Sequence, residues 1–123
     1  EHGLAVEQEL VFDGEYSVST GSQGAQRLLQ NRVDGIVCGN DLIATGVMRA
    51  AEEYGLRIPR DLKVIGLDDI YFSKYLHPPL TTIEQPAYEM GRDAAKMLIC
   101  NILYGEPLFV RELPYRMILR ETV

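Results

Sequence analysis

Polar residues follow three short apolar runs of this sequence, and their types suit the binding of a small polar molecule. They are Asp13–Tyr16, Asn40-Asp41 and Asp68-Asp69. If each run is a β-strand, these residues lie beyond the carboxyl ends of the strands, where open α/β sheets bind ligands. An aromatic ring can cover the apolar face of a sugar or nucleobase, and carboxylates accept hydrogen bonds worth about 1.5–3 kcal/mol each. The pattern therefore predicts a binding site.

A second interpretation of the same residues is purely structural. Asn and Asp are common at the first position of a helix, where their side-chain oxygens accept backbone N–H groups. At any single position we favour this capping role, because it is the commoner use of these residue types. Three polar strand ends that converge on one rim favour a site instead. Both interpretations stay open from the sequence.

The sequence contains none of the short motifs that carry common enzyme chemistry. A nucleophile elbow, a P-loop, an HExxH pair and a GxGxxG fingerprint are all absent. Cys38 and Cys100 are far apart, and His2 and His77 are not at zinc-ligand spacing from them. We therefore expect no enzyme activity, no metal site and no cofactor. The cysteines are interpreted as buried thiols kept reduced in the cytoplasm.

Composition points to a globular chain that does not itself bind DNA. The 123 residues are 46% hydrophobic and 24% charged, which suits one domain or part of a larger one. The net charge is −6, from 12 basic and 18 acidic residues, whereas a protein that neutralises DNA phosphates is basic. No apolar run approaches the roughly 20 residues that span a bilayer, and no signal-peptide pattern opens the chain.

The apolar runs predict strands. Leu10–Phe12 ends at an Asp-Gly turn, and Gly35–Gly39 is apolar throughout, as in a central strand buried on both faces. Lys63–Leu67, Leu80–Glu84 and an extended segment from about Leu113 to Leu119 complete the set.

Between these strands, apolar residues recur at helical spacing. Thr20 with Gln23 resembles a capping box that begins the first helix. Asn40-Asp41 can cap the second helix, and Gly55 can end it in a left-handed conformation. Pro86 suits the start of a third helix. The face of that helix assigned to the core consists of Met90, Ala94, Leu98 and Ile102.

Alternating strands and helices predict an α/β fold with a doubly wound parallel sheet. Glu1–Leu4 is interpreted as the last turn of a helix with its glycine cap. The strand that should precede such a helix is absent, so we expect the domain to be incomplete. The segment Ile70–Leu76 (IYFSKYL) concentrates aromatic residues, which are equally typical of a core and of a subunit contact.

Longer stretches resemble the C-terminal part of LacI/GalR-type transcription regulators, and the resemblance spans essentially the whole chain. It is carried by VDGIVCGNDLIATGVMRAAEEYGLRIPRDLKVIGLDD, by HPPLTTIEQPAYEMGRDAAKMLI and by LPYRMILRET. Its marks include Asn40-Asp41, Gly66 with Asp68-Asp69, Pro79–Ile83 with Gln85-Pro86, and Arg120–Thr122, and together they are highly specific.

The resemblance implies a periplasmic-binding-protein-like core of two similar α/β subdomains, with an effector between them and an N-terminal helix-turn-helix headpiece that binds the operator. It assigns residues 1–80 and 108–123 to the C-terminal subdomain, and residues 81–107 to a crossover strand and helix that pack in the N-terminal subdomain. The headpiece, most of the N-terminal subdomain and the first strand of the C-terminal one would lie outside this sequence. The implied protein is a cytoplasmic homodimer that binds a sugar or related metabolite, touches DNA only through its headpiece and does not bind membranes.

The resemblance also implies roles for individual residues. Tyr16 matches the aromatic residue that stacks on the effector, and Asn40 and Asp68 match the amide and carboxylate that hydrogen-bond to it. Asp41 is then assigned to helix capping. The residues that match dimer contacts, or lie in the same aromatic segment, are Thr45, Tyr71, Tyr75 and Leu76.

Two other classes of protein remain as alternatives. A periplasmic sugar-binding protein of a transporter shares the two-lobed fold, but the unpaired cysteines and the runs IPRDLKVIG, HPPLTTI and RET favour the regulator. A small Rossmann-like transferase, the alternative from the enzyme class, has no motif in its support.

Overall fold

The computed structural model describes residues 7–123, which form one four-stranded sheet and three α-helices. The strands are β1 (Gly35–Val37), β2 (Lys63–Leu67), β3 (Thr81–Glu84) and β4 (Arg116–Ile118). The helices are α1 (Val18–Leu29), α2 (Asp41–Glu53) and α3 (Ala87–Tyr104), with 3-10 turns at Gln8–Leu10 and Ser73–Tyr75. The helix end expected at Glu1–Leu4 lies outside the described residues.

The sheet is ordered β1-β2-β3-β4 and is mostly parallel. Ile36 of β1 pairs with Val64 of β2, and Ile65 pairs with Thr81 of β3, both in parallel. The predicted α/β fold with a parallel sheet is confirmed, and β4 is the strand among those described that runs antiparallel to its neighbour, β3. Because β1, β2 and β3 are parallel neighbours, their carboxyl ends lie along one edge of the sheet.

The core lies between α1, α2 and one face of the sheet. Ala25 of α1, Val47 of α2 and Val64 of β2 are buried in the same apolar cluster. The two helices cross at close range where Gly21 faces Gly46: a β-carbon at Gly21 would lie 3.0 Å from the Cα of Gly46. Glycine at these positions therefore lets both helices reach the sheet.

The first helix begins three residues earlier than the sequence predicted. Ser17 is the N-cap, and its Oγ accepts the backbone N–H of Thr20 at 3.2 Å. Thr20 is thus the third residue of the helix, and the capping box that we assigned to Thr20 and Gln23 is wrong. Ser and Thr are similarly good caps, so the sequence alone did not separate the two positions.

No strand forms at Leu10–Phe12, where the sequence predicted one. Gln8–Leu10 is a 3-10 turn, and Val11 has extended backbone angles without pairing to any described strand. The ring of Phe12 lies against Gly24 of α1 instead. A strand needs a neighbour to satisfy its N–H and C=O groups, and none of the four strands described lies beside this segment.

The strand predicted at Gly35–Gly39 is confirmed as β1, but its expected burial on both faces is wrong. Ile36 is buried, whereas the side chain of Val37 is 80% exposed. The two helices cover one face of β1, and no element within residues 7–123 covers the other. Val37 is therefore an apolar residue that the described part of the chain leaves largely exposed.

The end of α2 forms as the sequence predicted. Gly55 has a φ of +71°, the left-handed conformation that glycine adopts without strain. Its N–H donates to the carbonyl of Glu52, and the N–H of Leu56 donates to that of Ala51, both at 2.9 Å. These two bonds are a Schellman motif, which satisfies the last carbonyls of the helix.

The third helix is confirmed, but the face that its pattern assigns to a core is exposed. Met90, Leu98 and Ile102 are 45%, 54% and 69% exposed, and no residue of α3 is buried. Gly105 ends the helix with a φ of +68°. The resemblance had assigned this helix to a second subdomain; among the described residues, a salt bridge of 2.8 Å between Asp93 and Arg111 joins it to the segment that follows it.

The C-terminal residues join the starts of β2 and β3. The fully buried Thr122 accepts the N–H of Thr81 through its Oγ1 at 2.8 Å and donates from the same oxygen to the carbonyl of Val64 at 2.7 Å. The N–H of Val64 returns a bond of 2.9 Å to the carbonyl of Thr122. These bonds fix the tail against the sheet at the end opposite to the polar rim.

Candidate ligand-binding site

Asn40 stands where β1 ends and α2 begins. Its Oδ1 accepts the backbone N–H of Ile43 at 2.9 Å, so Asn40 is the N-cap of α2. The assignment of capping to Asp41 is therefore wrong, because the preceding residue has the extended backbone that an N-cap requires. Capping uses only the oxygen of the Asn40 amide, and its NH₂ group is a donor suited to a ligand.

Asp41 is fully buried, and its carboxylate binds three other segments of the chain. Ser73 Oγ donates to Oδ2 at 2.5 Å, and Thr82 Oγ1 donates to Oδ1 at 2.6 Å. The backbone N–H of Ile70 donates to Oδ2 at 3.0 Å. Buried carboxylates are tolerated when hydrogen bonds replace the lost water, and these three bonds meet that requirement.

Tyr16 lies just before α1, and its side chain is 71% exposed. Its ring lies over Gly39: a β-carbon built there would be 3.4 Å from Tyr16 Cε1. Because Gly39 immediately precedes Asn40, the ring and the amide stand at the same strand end. The ring also borders an open cleft of about 370 Å³, which Asp13 and Gly39 help to line.

Asp68 follows β2, is exposed, and adopts an unusual backbone conformation. Its φ is +109° and that of Asp69 is +51°, a region that residues with a β-carbon rarely enter. Its Oδ1 accepts a hydrogen bond of 2.7 Å from Gln85 Nε2, so the carboxylate faces the segment that follows β3. Backbone strain of this kind is concentrated at functional sites.

The neighbouring Asp69 is held by an ion pair rather than exposed to solvent. Arg120 Nη2 lies 2.7 Å from Asp69 Oδ1, and the two side chains are 17% and 20% exposed. The same guanidinium donates through Nη1 to the carbonyl of Leu80 at 2.8 Å. The pair fixes the turn after β2 against the start of β3.

The structure places the three predicted ligand residues along one rim. Tyr16 and Asn40 stand at the end of β1, and Asp68 stands at the end of its parallel neighbour β2. The bond between Asp41 and Ile70 joins these two strand ends directly. The rim thus presents an aromatic face, an amide and a carboxylate, which together suit a ligand with hydroxyl groups and an apolar ring face.

The aromatic patch (Tyr71–Leu76) has its aromatic rings at the surface, while Ser73 is buried and Leu76 packs against the core. Tyr71 and Tyr75 are 77% and 57% exposed, their ring centroids are 5.5 Å apart, and Lys74 Nζ lies 5.1 Å from each ring centre. Leu76 and Thr45 line a neighbouring cleft of about 310 Å³. The four predicted contact residues therefore lie on one part of the surface.

The cysteines differ in their surroundings. Cys38 is buried, and burial, followed by the charge of Asp41, raises the pKa of its thiol to about 12. Cys100 is only partly buried, so the prediction of two buried thiols is confirmed for Cys38 alone. Among residues 7–123, no three His, Cys, Asp or Glu side chains lie close enough to share a metal ion. None of the helices described is long and apolar enough to cross a membrane.

Sequence reasoning missed the residues that support the rim. Asp41 binds Ile70, Gln85 binds Asp68 and Arg120 binds Asp69. The partners in these pairs are 17 to 51 residues apart in sequence. One signal was available for Asp41: of two adjacent polar residues after a strand, only one can be the N-cap, and the other needs a different role. For Gln85 and Arg120 the only signal was the family resemblance, whose motifs contain both residues and give neither a role.

The whole chain, residues 1–123, matches the profile of the periplasmic binding protein-like domain. The HTH-type transcriptional repressor PurR of Erwinia tasmaniensis is 36% identical over 104 residues, which are 83% of this chain and 30% of that protein. This chain therefore spans less than a third of the length of that relative.

Solved structures show the same arrangement. A LacI family transcriptional regulator from Enterococcus faecium with bound ribose is 36% identical, with a TM-score of 0.80 over 90% of this chain and 42% of that one. The complex of the transcriptional regulator CelR with cellobiose is 29% identical, with a TM-score of 0.90 over 98% of this chain and 38% of that one. Both regulators hold a sugar.

Proposed function

Because the chain belongs to the periplasmic binding protein-like domain family, we propose that it is the effector-sensing part of a LacI-type transcription regulator. It binds a small sugar and thereby controls operator binding by a headpiece elsewhere in the same protein. The observation that carries this proposal is the rim on which Tyr16, Asn40 and Asp68 stand together. The ribose and cellobiose held by two similar regulators make a sugar the favoured ligand class.

The rim by itself is one half of a site. A ligand on it is contacted from the strand ends alone, and high affinity for a small polar molecule requires enclosure on most sides. We infer that residues 1–80 and 108–123 form the C-terminal subdomain, and that residues 81–107 belong with a second subdomain that closes over the rim. The exposed apolar face of α3 supports this division, since such a face is rarely left bare in a complete protein.

The cleft beside β1 supports the same view. Its lining includes Val11 and Phe12, Leu28 of α1, and Ile36 and Val37 of β1. One edge of β1 has no strand partner among residues 7–123. An additional parallel strand placed there would pair with β1 and give the extended backbone at Val11 a neighbour.

Assembly as a homodimer is also part of the proposal. Thr45, Tyr71, Tyr75 and Leu76 lie on one surface, and exposed tyrosines are enriched at subunit contacts. A two-fold axis through this surface would bring two copies of the patch together.

The regulator is favoured over the two alternatives, a transporter's periplasmic sugar-binding protein and a small transferase. The similar proteins of known role are transcription regulators, which favours a regulator in the cytoplasm over a transporter's binding protein. The rim holds groups that bind and orient a ligand, with no paired nucleophile and base, so the proposed role is binding without catalysis. DNA contacts are assigned to the headpiece, since the net charge of this chain is −6.

Isothermal titration of D-ribose and of cellobiose into the full-length protein tests the proposed function. Tyr16→Ala should weaken binding by about tenfold, since loss of an aromatic stacking face costs roughly 1–1.5 kcal/mol. Tyr54→Ala is the matched control, because Tyr54 is similarly exposed at the far end of α2. Sugar addition should change the affinity of the full-length protein for DNA that it selected from a random library. Residues 1–123 alone should not bind this DNA. Absence of both sugar binding and DNA selection would refute the proposal.

A further inference from the structure

The buried carboxylate of Asp41 reaches into the segment that carries Asp68. It lies one residue after Asn40, on the rim, yet is fully buried and so contacts no ligand itself. Its three hydrogen-bond partners come from different parts of the chain: Ile70 after β2, Ser73 in the 3-10 turn and Thr82 in β3. A buried carboxylate with this many partners has little freedom to move.

The segment that Asp41 holds is strained. Asp68 and Asp69 have successive positive φ values of +109° and +51°, and such conformations persist only where the surroundings impose them. The N–H of Asp68 is bonded to the carbonyl of Ile83 at 2.8 Å, and Arg120 binds the Asp69 carboxylate at 2.7 Å. Just after the two strained residues, the N–H of Ile70 is fixed by its bond to Asp41, and the carbonyl of Ile70 accepts the N–H of Ser73 at 2.9 Å.

We propose that Asp41 is a positioning residue for ligand binding: its carboxylate holds the strained Asp68–Ile70 turn in the conformation that presents Asp68 at the rim. This inference rests on the proposed function for its ligand, while its structural part concerns the turn alone. Asp41 thereby sets the position of Asp68 relative to Asn40, its own neighbour in sequence. Loss of the carboxylate should release the turn although every group that contacts the ligand is still present.

Gly66 of β2 provides an independent way to disturb the same carboxylate. A β-carbon at this position would collide with Asp41 Oδ1 and stand 3.0 Å from Leu80 Cδ2. Gly66→Ala should therefore displace the carboxylate without removing it. Asp41→Asn is the conservative variant, because its amide oxygen, in the place of Asp41 Oδ2, can still accept from Ile70 and Ser73 while its NH₂ takes the place of Oδ1 and faces Thr82.

Hydrogen exchange in the full-length protein, measured on peptides that contain Ile70, tests the structural part. Asp41→Ala and Gly66→Ala should each speed exchange at Ile70 by about tenfold or more beyond the change caused by global unfolding. Asp41→Asn should restore most of the protection. Thr122→Val is the matched control: it removes a buried hydroxyl that also joins β2 to β3, at the opposite end of the strands. Equal exchange at Ile70 in the Asp41→Ala, Gly66→Ala and Thr122→Val proteins would overturn the proposal.

Titration of D-ribose into the same variants tests the functional part. Asp41→Ala should lower affinity by about tenfold, Asp41→Asn by less, and Thr122→Val by less than about twofold. If the turn is released and affinity for ribose is unchanged, Asp41 does not position the site. If the unmodified protein binds neither ribose nor cellobiose, the proposed sugar function fails, and the exchange experiment alone then decides whether Asp41 holds the turn.

Discussion

Replacement of Asp68 by alanine or by glycine separates its contribution to ligand binding from its effect on stability. Both variants remove the carboxylate that the rim presents, and both lose the bond of 2.7 Å from Gln85. They differ in the backbone. At a φ of +109° alanine retains the steric conflict of a β-carbon, whereas glycine has none.

The structure provides the expected magnitudes. The bond to Gln85 is exposed, so its loss should cost at most about 0.5–1 kcal/mol of the free energy of unfolding in either variant. Strained positive-φ residues cost on the order of 1–3 kcal/mol, so Asp68→Gly should unfold with roughly 1 kcal/mol more free energy than Asp68→Ala. Ligand affinity should fall in both, by about 1.5–3 kcal/mol, a factor of ten to a hundred or more.

Urea denaturation and titration of D-ribose on the same preparations measure the two effects. Asp34→Ala is the control, because Asp34 is an exposed aspartate at the opposite, amino end of β1. Normal affinity with a lowered free energy of unfolding would make Asp68 a structural residue and refute its role as a ligand contact. Equal stability of the alanine and glycine variants would refute the reasoning about backbone strain.

Three further predictions concern the rest of the chain. Residues 1–123 should self-associate through the exposed face of α3, and Leu98→Glu should shift the sedimentation profile towards monomer; a compact monomer without the substitution would contradict this. Iodoacetamide at mildly alkaline pH should label the partly buried Cys100 before Cys38, whose pKa of about 12 leaves little thiolate, as peptide mass spectrometry can show. The hydrogen bonds from Arg57 hold the pKa of Asp61 at about 2, below its ordinary 3.8, so this carboxylate stabilises the fold above that ordinary value and loses its effect as pH falls through about 2. Thermal melts of the Asp61→Asn variant should therefore approach those of the unmodified protein only at the acid end of this range.

Local sequence signals were sufficient to predict most of the helices and strands. The strand at Lys63–Leu67 and the glycine that ends α2 were predicted correctly, because an apolar run and a left-handed cap depend on adjacent residues. The strand expected at Leu10–Phe12 does not form, because strand formation also depends on residues that are distant in sequence. A strand exists through its hydrogen-bonded neighbour, and the identity of that neighbour is a property of the whole sheet.

A local sequence pattern also could not predict whether a given apolar side chain is buried. Val37 and Leu98 both lie on faces that the sequence assigns to a core, and they are 80% and 54% exposed. Periodicity shows which face of an element is apolar and leaves open what covers it. In this chain, the described elements cover Ile36 on the same strand and leave Val37 bare.

For the candidate site, the amino-acid sequence by itself determined that Asn40-Asp41 and Asp68-Asp69 follow the ends of parallel strands, and so which edge of the sheet a ligand meets. The strand that it predicted before Asp13–Tyr16 does not form. Only the tertiary structure decided how those residues are used: Asn40 caps α2, Asp41 turns inward, and Asp68 is held at a positive φ. The physical reason is the range of the interactions. Strand and helix signals act over a few residues, whereas the bonds from Thr82 to Asp41 and from Arg120 to Asp69 join positions 41 and 51 residues apart.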